Sequence, residues 1–238
     1  MKLTRMGIFL AGCCFAAQAD VVFVTPAGAT TGGGPVDASA AIKTSPGQIM
    51  INLTNLEANP KDISQNLSDF QFTLSNGDLT GAALTGAGSQ EITVNGNGTF
   101  SIGANLTTVA AVGWVFTASA PTGTLDVLSG PGHAGPAHMI IGPPGGPTYS
   151  NANGSIAGNG PNNPFLNQTA SFTITAPDVT ANTTVTAATF SFGVTSGILV
   201  PGTPSVPEPG FYGLLAAGLV GLLAVVQRRG RVGPSSRS

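Results

Sequence analysis

The 238-residue chain reads as mainly β: a single antiparallel β-sandwich with a long Gly/Pro/Asn-rich loop, between a cleaved N-terminal signal peptide and a C-terminal transmembrane helix. Three observations carry this. Short runs of Val, Ile, Phe and Thr alternate with polar residues at period two and are spaced by Gly, Asn, Pro and Ser, the pattern of strands with one buried face. No stretch between the ends shows a helical apolar stripe of comparable strength. An apolar run without charge lies near each end.

The first element is MKLTRMGIFLAGCCFAAQAD. Lys2 and Arg5 precede apolar Met6 to Ala17, and Ala17-Gln18-Ala19 is a small-x-small site for signal peptidase, which predicts cleavage before Asp20 and a signal peptide over 1–19. A competing arrangement, Leu10-Ala11-Gly12-Cys13, matches the box that leads to lipidation at Cys13. It leaves only about six apolar residues ahead of the cysteine, where about 7 to 15 are usual. Cys13 and Cys14 are the only cysteines, so cleavage before Asp20 leaves a mature chain without a thiol or a disulfide.

The body, 20–200, holds the strands: QIMINL from Gln48, DFQFTL from Asp69, EITV from Glu91, TFSI from Thr99, VGWVFT from Val112, ASFTIT from Ala170 and TTVTAATFSFGV from Thr183. Asn76-Gly77 and Asn95-Gly96 read as hairpin turns, because both residue types tolerate positive φ. Between Ser129 and Pro164 the pattern stops, and Gly, Pro and Asn around a short Met139-Ile140-Ile141 piece predict a flexible loop over 129–164.

Charge narrows the partners. Only 8% of residues are charged, against about a quarter in an average domain. Within the body Lys43 and Lys61 alone oppose nine carboxylates, Asp20 to Asp178. Nucleic acid is excluded as a partner on that ground, since phosphate binding needs clustered Lys and Arg.

The last segment is 201–238. Gly210 to Val226 is 17 residues without a charge, which as a helix reaches about 25 Å, a short membrane span. Arg228, Arg229 and Arg231 follow in the tail 228–238 and mark its cytoplasmic side, so the body lies outside. Ahead of the span stands Val206-Pro207-Glu208-Pro209. Its prolines fix φ and bias the preceding residues toward extended backbone, so Glu208 is offered on a stiff segment.

Pro207-Glu208-Pro209, the apolar span and the arginine cluster, in that order behind a signal peptide, resemble the PEP-CTERM sorting signal. The resemblance implies an exosortase as partner, a membrane protease that cuts near the triplet and releases or transfers the body. It also implies transient anchoring of the precursor in the inner membrane, then a cell-surface or extracellular-matrix location, and association with exopolysaccharide. It rests on about 25 residues at one end and brings no activity to the body.

The body offers little for catalysis. His133 and His138 lack a neighbouring third ligand for zinc, so no metal or cofactor is expected. Ser155, in Gly154-Ser155-Ile156-Ala157-Gly158, lacks the Gly-x-Ser-x-Gly spacing of a nucleophile elbow. Asp69 and Asp78 are one conceivable carboxylate pair among many. Asp126 and Asp178 form no Asp-x-Asp calcium run. Trp114 reads as core. The expected function is a non-enzymatic, structural role at the surface or in the matrix, associated with exopolysaccharide or biofilm. A carbohydrate-binding or adhesion module using an exposed aromatic such as Tyr149 is the alternative, and a secreted polysaccharide hydrolase the second.

Overall fold

The structure, a computed structural model, describes residues 20–76, 79–195 and 198–205. Its strands are β1 (Val21–Val24), β2 (Thr30–Thr31), β3 (Gly34–Pro35), β4 (Ala38–Ser45), β5 (Gln48–Asn55), β6 (Leu67–Leu74), β7 (Ala83–Val94) and β8 (Phe100–Leu106). There follow β9 (Val115–Ser119), β10 (Thr122–Asp126), β11 (Ile140–Ile141), β12 (Phe165–Thr175), β13 (Val185–Phe192), β14 (Leu199–Pro201) and β15 (Thr203–Ser205). Among the described residues helix is confined to α1 (Val109–Val112) and a 3-10 turn at Ile63–Gln65. The expected signal peptide, 1–19, and the apolar span, 210–226, lie outside the described residues.

Period two builds the strands. β4 buries Ala38, Ala40, Ile42 and Thr44, and β5 buries Ile49, Ile51, Leu53 and Asn55. Pro46-Gly47 joins them, and a proline followed by a glycine at φ 77° suits a type II turn. Phe70 on β6 stands opposite Phe190 on the neighbouring β13 with the rings 5.2 Å apart, and Phe72 packs its ring 6.3 Å from that of Phe70. Two local expectations change. Val112 closes α1, which Thr108 caps through Ala111 N and Gly113 ends at φ 69°, so Trp114 precedes β9 instead of lying mid-strand. Trp114 is core as expected, 1% exposed and 5.2 Å from the Phe172 ring. The loop after β7 is not a two-residue Asn95-Gly96 turn: Gly98 takes the positive φ, 78°, and the Asn97 side chain accepts from Thr99 N at 3.1 Å. Gly77, of the other expected turn, lies outside the described residues.

Hydrogen bonding links thirteen strands into one sheet, in the order β14-β13-β6-β11-β12-β5-β4-β1-β15, with β10 and β9 branching from β6 and β7 and β8 from β12. β2 and β3 form a separate hairpin. This corrects the antiparallel sandwich. The protein is mainly β, but its sheet is mixed, because the two-residue β11 pairs antiparallel with β6 and parallel with β12 and so stitches the halves together. The other end of the path is joined too: β14, on β13, and β15, on β1, are separated by Gly202 alone. Gly202 N donates to Ala188 O at 2.8 Å, and a Cβ there would stand 3.0 Å from Phe190 Cε2 and 3.3 Å from Phe23 Cβ. The sheet therefore wraps around one continuous apolar core. β15 carries the folded body to Ser205, past the expected boundary at 200.

The reading of 129–164 as a flexible loop is also corrected. Met139, Ile140, Ile141, Tyr149 and Ile156 are no more than 1% exposed. Asn163 accepts from Val94 N at 2.8 Å and donates to Asn159 O at 2.9 Å, and Asn162 donates to Ser155 O at 2.7 Å. Tyr149 is inside, its hydroxyl donating to Gly142 O at 2.9 Å and its N to Gly98 O at 2.8 Å. The asparagines that looked like marks of looseness close the backbone turns with their side-chain amides. Tyr149→Ala should accordingly cost about 3–5 kcal/mol in urea unfolding, as a buried aromatic does; a loss within about 0.5 kcal/mol would return this segment to the surface.

Candidate functional site

The residues expected to be read by processing enzymes flank the described body. Ala17 and Ala19 on one side, and Val206, Pro207, Glu208, Pro209, Arg228, Arg229 and Arg231 on the other, lie outside the described residues. Asp20, exposed, stands directly before β1, and Ser205, exposed, ends β15 directly before Val206. β1 and β15 are antiparallel neighbours, with Val22 opposite Ser205, Phe23 opposite Pro204 and Val24 opposite Thr203. The described strands next to the two expected sites, β1 and β15, are therefore neighbours at one corner of the sheet.

The corner is asymmetric in strength. β1, VVFV, buries Phe23 and pairs along its whole length with β4, from Val21 opposite Ile42 to Val24 opposite Ser39. β15 exposes all three of its residues and, among the described strands, is hydrogen-bonded as a ladder to β1 alone. Pro204 contributes no N–H, which an edge strand tolerates. Thr203 Oγ1 adds one side-chain bond, to Val24 O at 3.2 Å. Sequence reading did not find β15; its signal, Thr-Pro-Ser just ahead of Pro207 and Pro209, is that of a linker.

The other candidates hold structure together. His138 has φ 60°, and its Nδ1 faces Val112 O at 3.0 Å while Nε2 faces Glu91 Oε1 at 3.1 Å. Its carbonyl accepts from Trp114 Nε1 at 2.9 Å. Both ring nitrogens are thus engaged by protein acceptors, and the side chain pins 129–164 to β7 and α1. His133 is exposed, while the His138 ring faces Val112 and Glu91. Ser155 Oγ donates to Asn153 Oδ1 at 2.6 Å and accepts from Ile63 N at 2.9 Å, which helps to hold the 3-10 turn. Burial pushes the Asp62 carboxyl up, but bonds from Ser64 N, the Asn153 amide and the Ser64 and Ser155 hydroxyls outweigh it and hold the group below its ordinary value. Among the described residues no group of three His, Cys, Asp or Glu could hold a metal, and no helix is long and apolar enough to cross a membrane.

A cleft of about 600 Å³ opens beside the root of β15, lined by Val24, Val36, Asp37, Leu56, Glu57 and Thr203 among others. Burial, then the charge of Asp37, pushes the Glu57 carboxyl up. A second acidic pair is formed across β6 and β10, where Asp69 stands opposite Asp126. Asp126 accepts from Leu128 N at 2.6 Å and from the Ser129 hydroxyl. Asp69 Oδ1 has no partner. Asp78, the partner considered for Asp69 from sequence, lies outside the described residues.

Burial, then the charge of Asp126, pushes the Asp69 carboxyl up to about 7 from an ordinary 3.8. Between those values the folded chain binds more proton than the unfolded one, so stability is full below about pH 4 and is lost as pH rises toward 7. The unfolding free energy from urea titrations should fall over that window, by at most about 1.4 kcal/mol per pH unit from this group. Asp69→Asn should flatten that part of the profile; an unchanged slope in Asp69→Asn would assign it to other groups.

Comparison with known proteins bears on the far side of β15. No curated protein and no solved structure matches the chain. The model of the PEP-CTERM protein-sorting motif matches residues 205–229, beginning on the last residue of β15 and including Pro207-Glu208-Pro209, the apolar run, Arg228 and Arg229. The match is confined to this segment and leaves the β body outside it. From Ser205 to Arg229, the chain carries a PEP-CTERM protein-sorting motif, consistent with an exosortase substrate.

Proposed function

We propose that this is an exported protein whose precursor is held at the inner membrane through 210–226, is recognised by an exosortase at Val206 to Pro209, and is then passed to the cell surface or extracellular matrix. The observation that carries the reading is the sorting motif at 205–229, set directly after the last strand of the body. The body itself serves a structural, non-enzymatic role in a polysaccharide-rich layer. Supporting this, His138, Ser155 and Asp62, the polar groups with the most chemical promise, are spent on internal hydrogen bonds. The low charge of the chain agrees, since it offers little for an ionic partner.

A carbohydrate-binding reading loses Tyr149, which is buried. Its remaining support is the exposed hydroxyl face across β5, β12 and β7, where Thr54 meets Thr169 at 3.1 Å and Thr85 meets Thr175 at 3.0 Å. Saturable binding of the purified body to exopolysaccharide, lost on replacing those threonines by valine, would favour it over a purely structural role.

Glu208→Ala should leave a full-length, membrane-bound precursor in a host with an active exosortase, while the unaltered protein is recovered shortened at its C-terminus and starting at Asp20. Intact mass of both forms checks this. An unaltered surface form that still ends at Ser238 would replace sorting with a simple anchor, and a lipidated Cys13 would replace cleavage before Asp20 with a lipoprotein route.

A further inference from the structure

The pairing of β1 with β15 sets a condition on removal of the tail. The matched motif begins at Ser205, still within β15, and only Val206 separates that strand from Pro207. A chain is cut where it is free to leave its fold, and strands held by few bonds open locally without global unfolding. β15 fits that description: three exposed residues, one strand partner, and a proline in the middle. The chain on either side of the opening is firm. Upstream, β14 pairs with β13, Val200 is 9% exposed and Gly202 N bonds to Ala188 O, so peeling stops at Gly202. Across from it, β1 keeps β4 and its buried Phe23, so a vacated edge stays in place.

We propose that β15 is a releasable strand: it lets go of β1 to enter the exosortase, the tail is severed beyond Ser205, and the freed end pairs with β1 again. The inference rests on the sorting reading above. One peptide C–N bond breaks; the carbonyl carbon takes an oxygen from water and the nitrogen takes a proton, leaving a carboxylate on the body and an amine on the tail. A cut upstream of Gly202 would strip β15 from the sheet and uncover the Phe23 and Phe190 contact at that glycine. A cut beyond Ser205 costs the body no strand. The mature chain then has its new carboxylate and its new amino terminus at Asp20 side by side.

The test locks the strand. Val22→Cys with Ser205→Cys joins directly opposed residues, whose spacing in an antiparallel ladder suits a disulfide. Cys13 and Cys14 fall within residues 1–19, so on cleavage before Asp20 no other thiol competes. The full chain is expressed in a host with an active exosortase, and the shortened fraction is followed by mass under oxidising conditions. The oxidised double variant should retain its tail, with at least about a tenfold drop in processing rate. Each single variant should be processed like the unaltered protein. Reductant should restore processing of the double variant, which separates a locked strand from a misfolded body. The shortened product should end at Ser205 or later. Normal processing of the disulfide-bonded form, or a mature chain ending before Ser205, overturns the proposal. Retention of the tail by the unaltered protein overturns the sorting reading, and this inference with it.

Discussion

The fold depends on the single residue that joins β14 to β15. Gly202 lets one extended stretch of chain finish the β13 side of the sheet and then cross to the β1 side, and the approach of Phe23 and Phe190 leaves little space for a side chain there. Gly202 itself, bonded to Ala188 O and set against Phe23 and Phe190, keeps the β13 and β1 ends of the sheet together, while β15 beyond it is exposed. At the other join β11 does the same with two buried isoleucines, Ile140 and Ile141, hydrogen-bonded to β6 on one side and β12 on the other. Two short corner strands turn what would be separate layers into one wrapped sheet, the device by which strands bend from one layer to another.

Side-chain amides and hydroxyls take the part that disulfides play in many exported domains. Asn55 donates to both Gln65 O and Ile140 O at 2.9 Å, tying β5 to the 3-10 turn and to the β11 corner. Gln65 accepts from Lys61 N at 2.7 Å and donates to Pro35 O at 2.7 Å. Each such bond contributes about 1 kcal/mol net, and each is far costlier to leave half-made inside the core. The composition makes sense in these terms: a chain poor in charge and without cysteines in its body is held by neutral groups that reach across long sequence separations.

Where the alternation was strong, the sequence was readable. Gln48 to Leu53, Asp69 to Leu74, Ala170 to Thr175 and Val185 to Phe192 announce their strands because large apolar residues fall on one face. β4 was missed because Ala38, Ala40 and Ala41 have little strand preference, and on its buried face Ala38 and Ala40 are too small to mark the period. β11 and β15 are too short for any period to show. The 129–164 segment was misread because Gly, Pro and Asn signal turns without saying whether the turns are packed, and that is decided by distant groups such as Glu91 and Val94. The linear motifs at the two ends were legible, but the pairing of β1 with β15 was not, since it follows from a register between residues 22 and 205 that no local pattern encodes.

The nearness of the two ends has a further consequence for the topology of the body. A chain whose first and last strands are neighbours is almost a ring, and a short polar linker from Ser205 to Asp20 would close it with no change in the sheet. New ends could then be opened in the exposed loop at 95–97, outside the buried corners. Such a permuted body would carry every ladder of the original but would anchor its export and sorting segments at a different pole, freeing the orientation of the domain from the order of its strands.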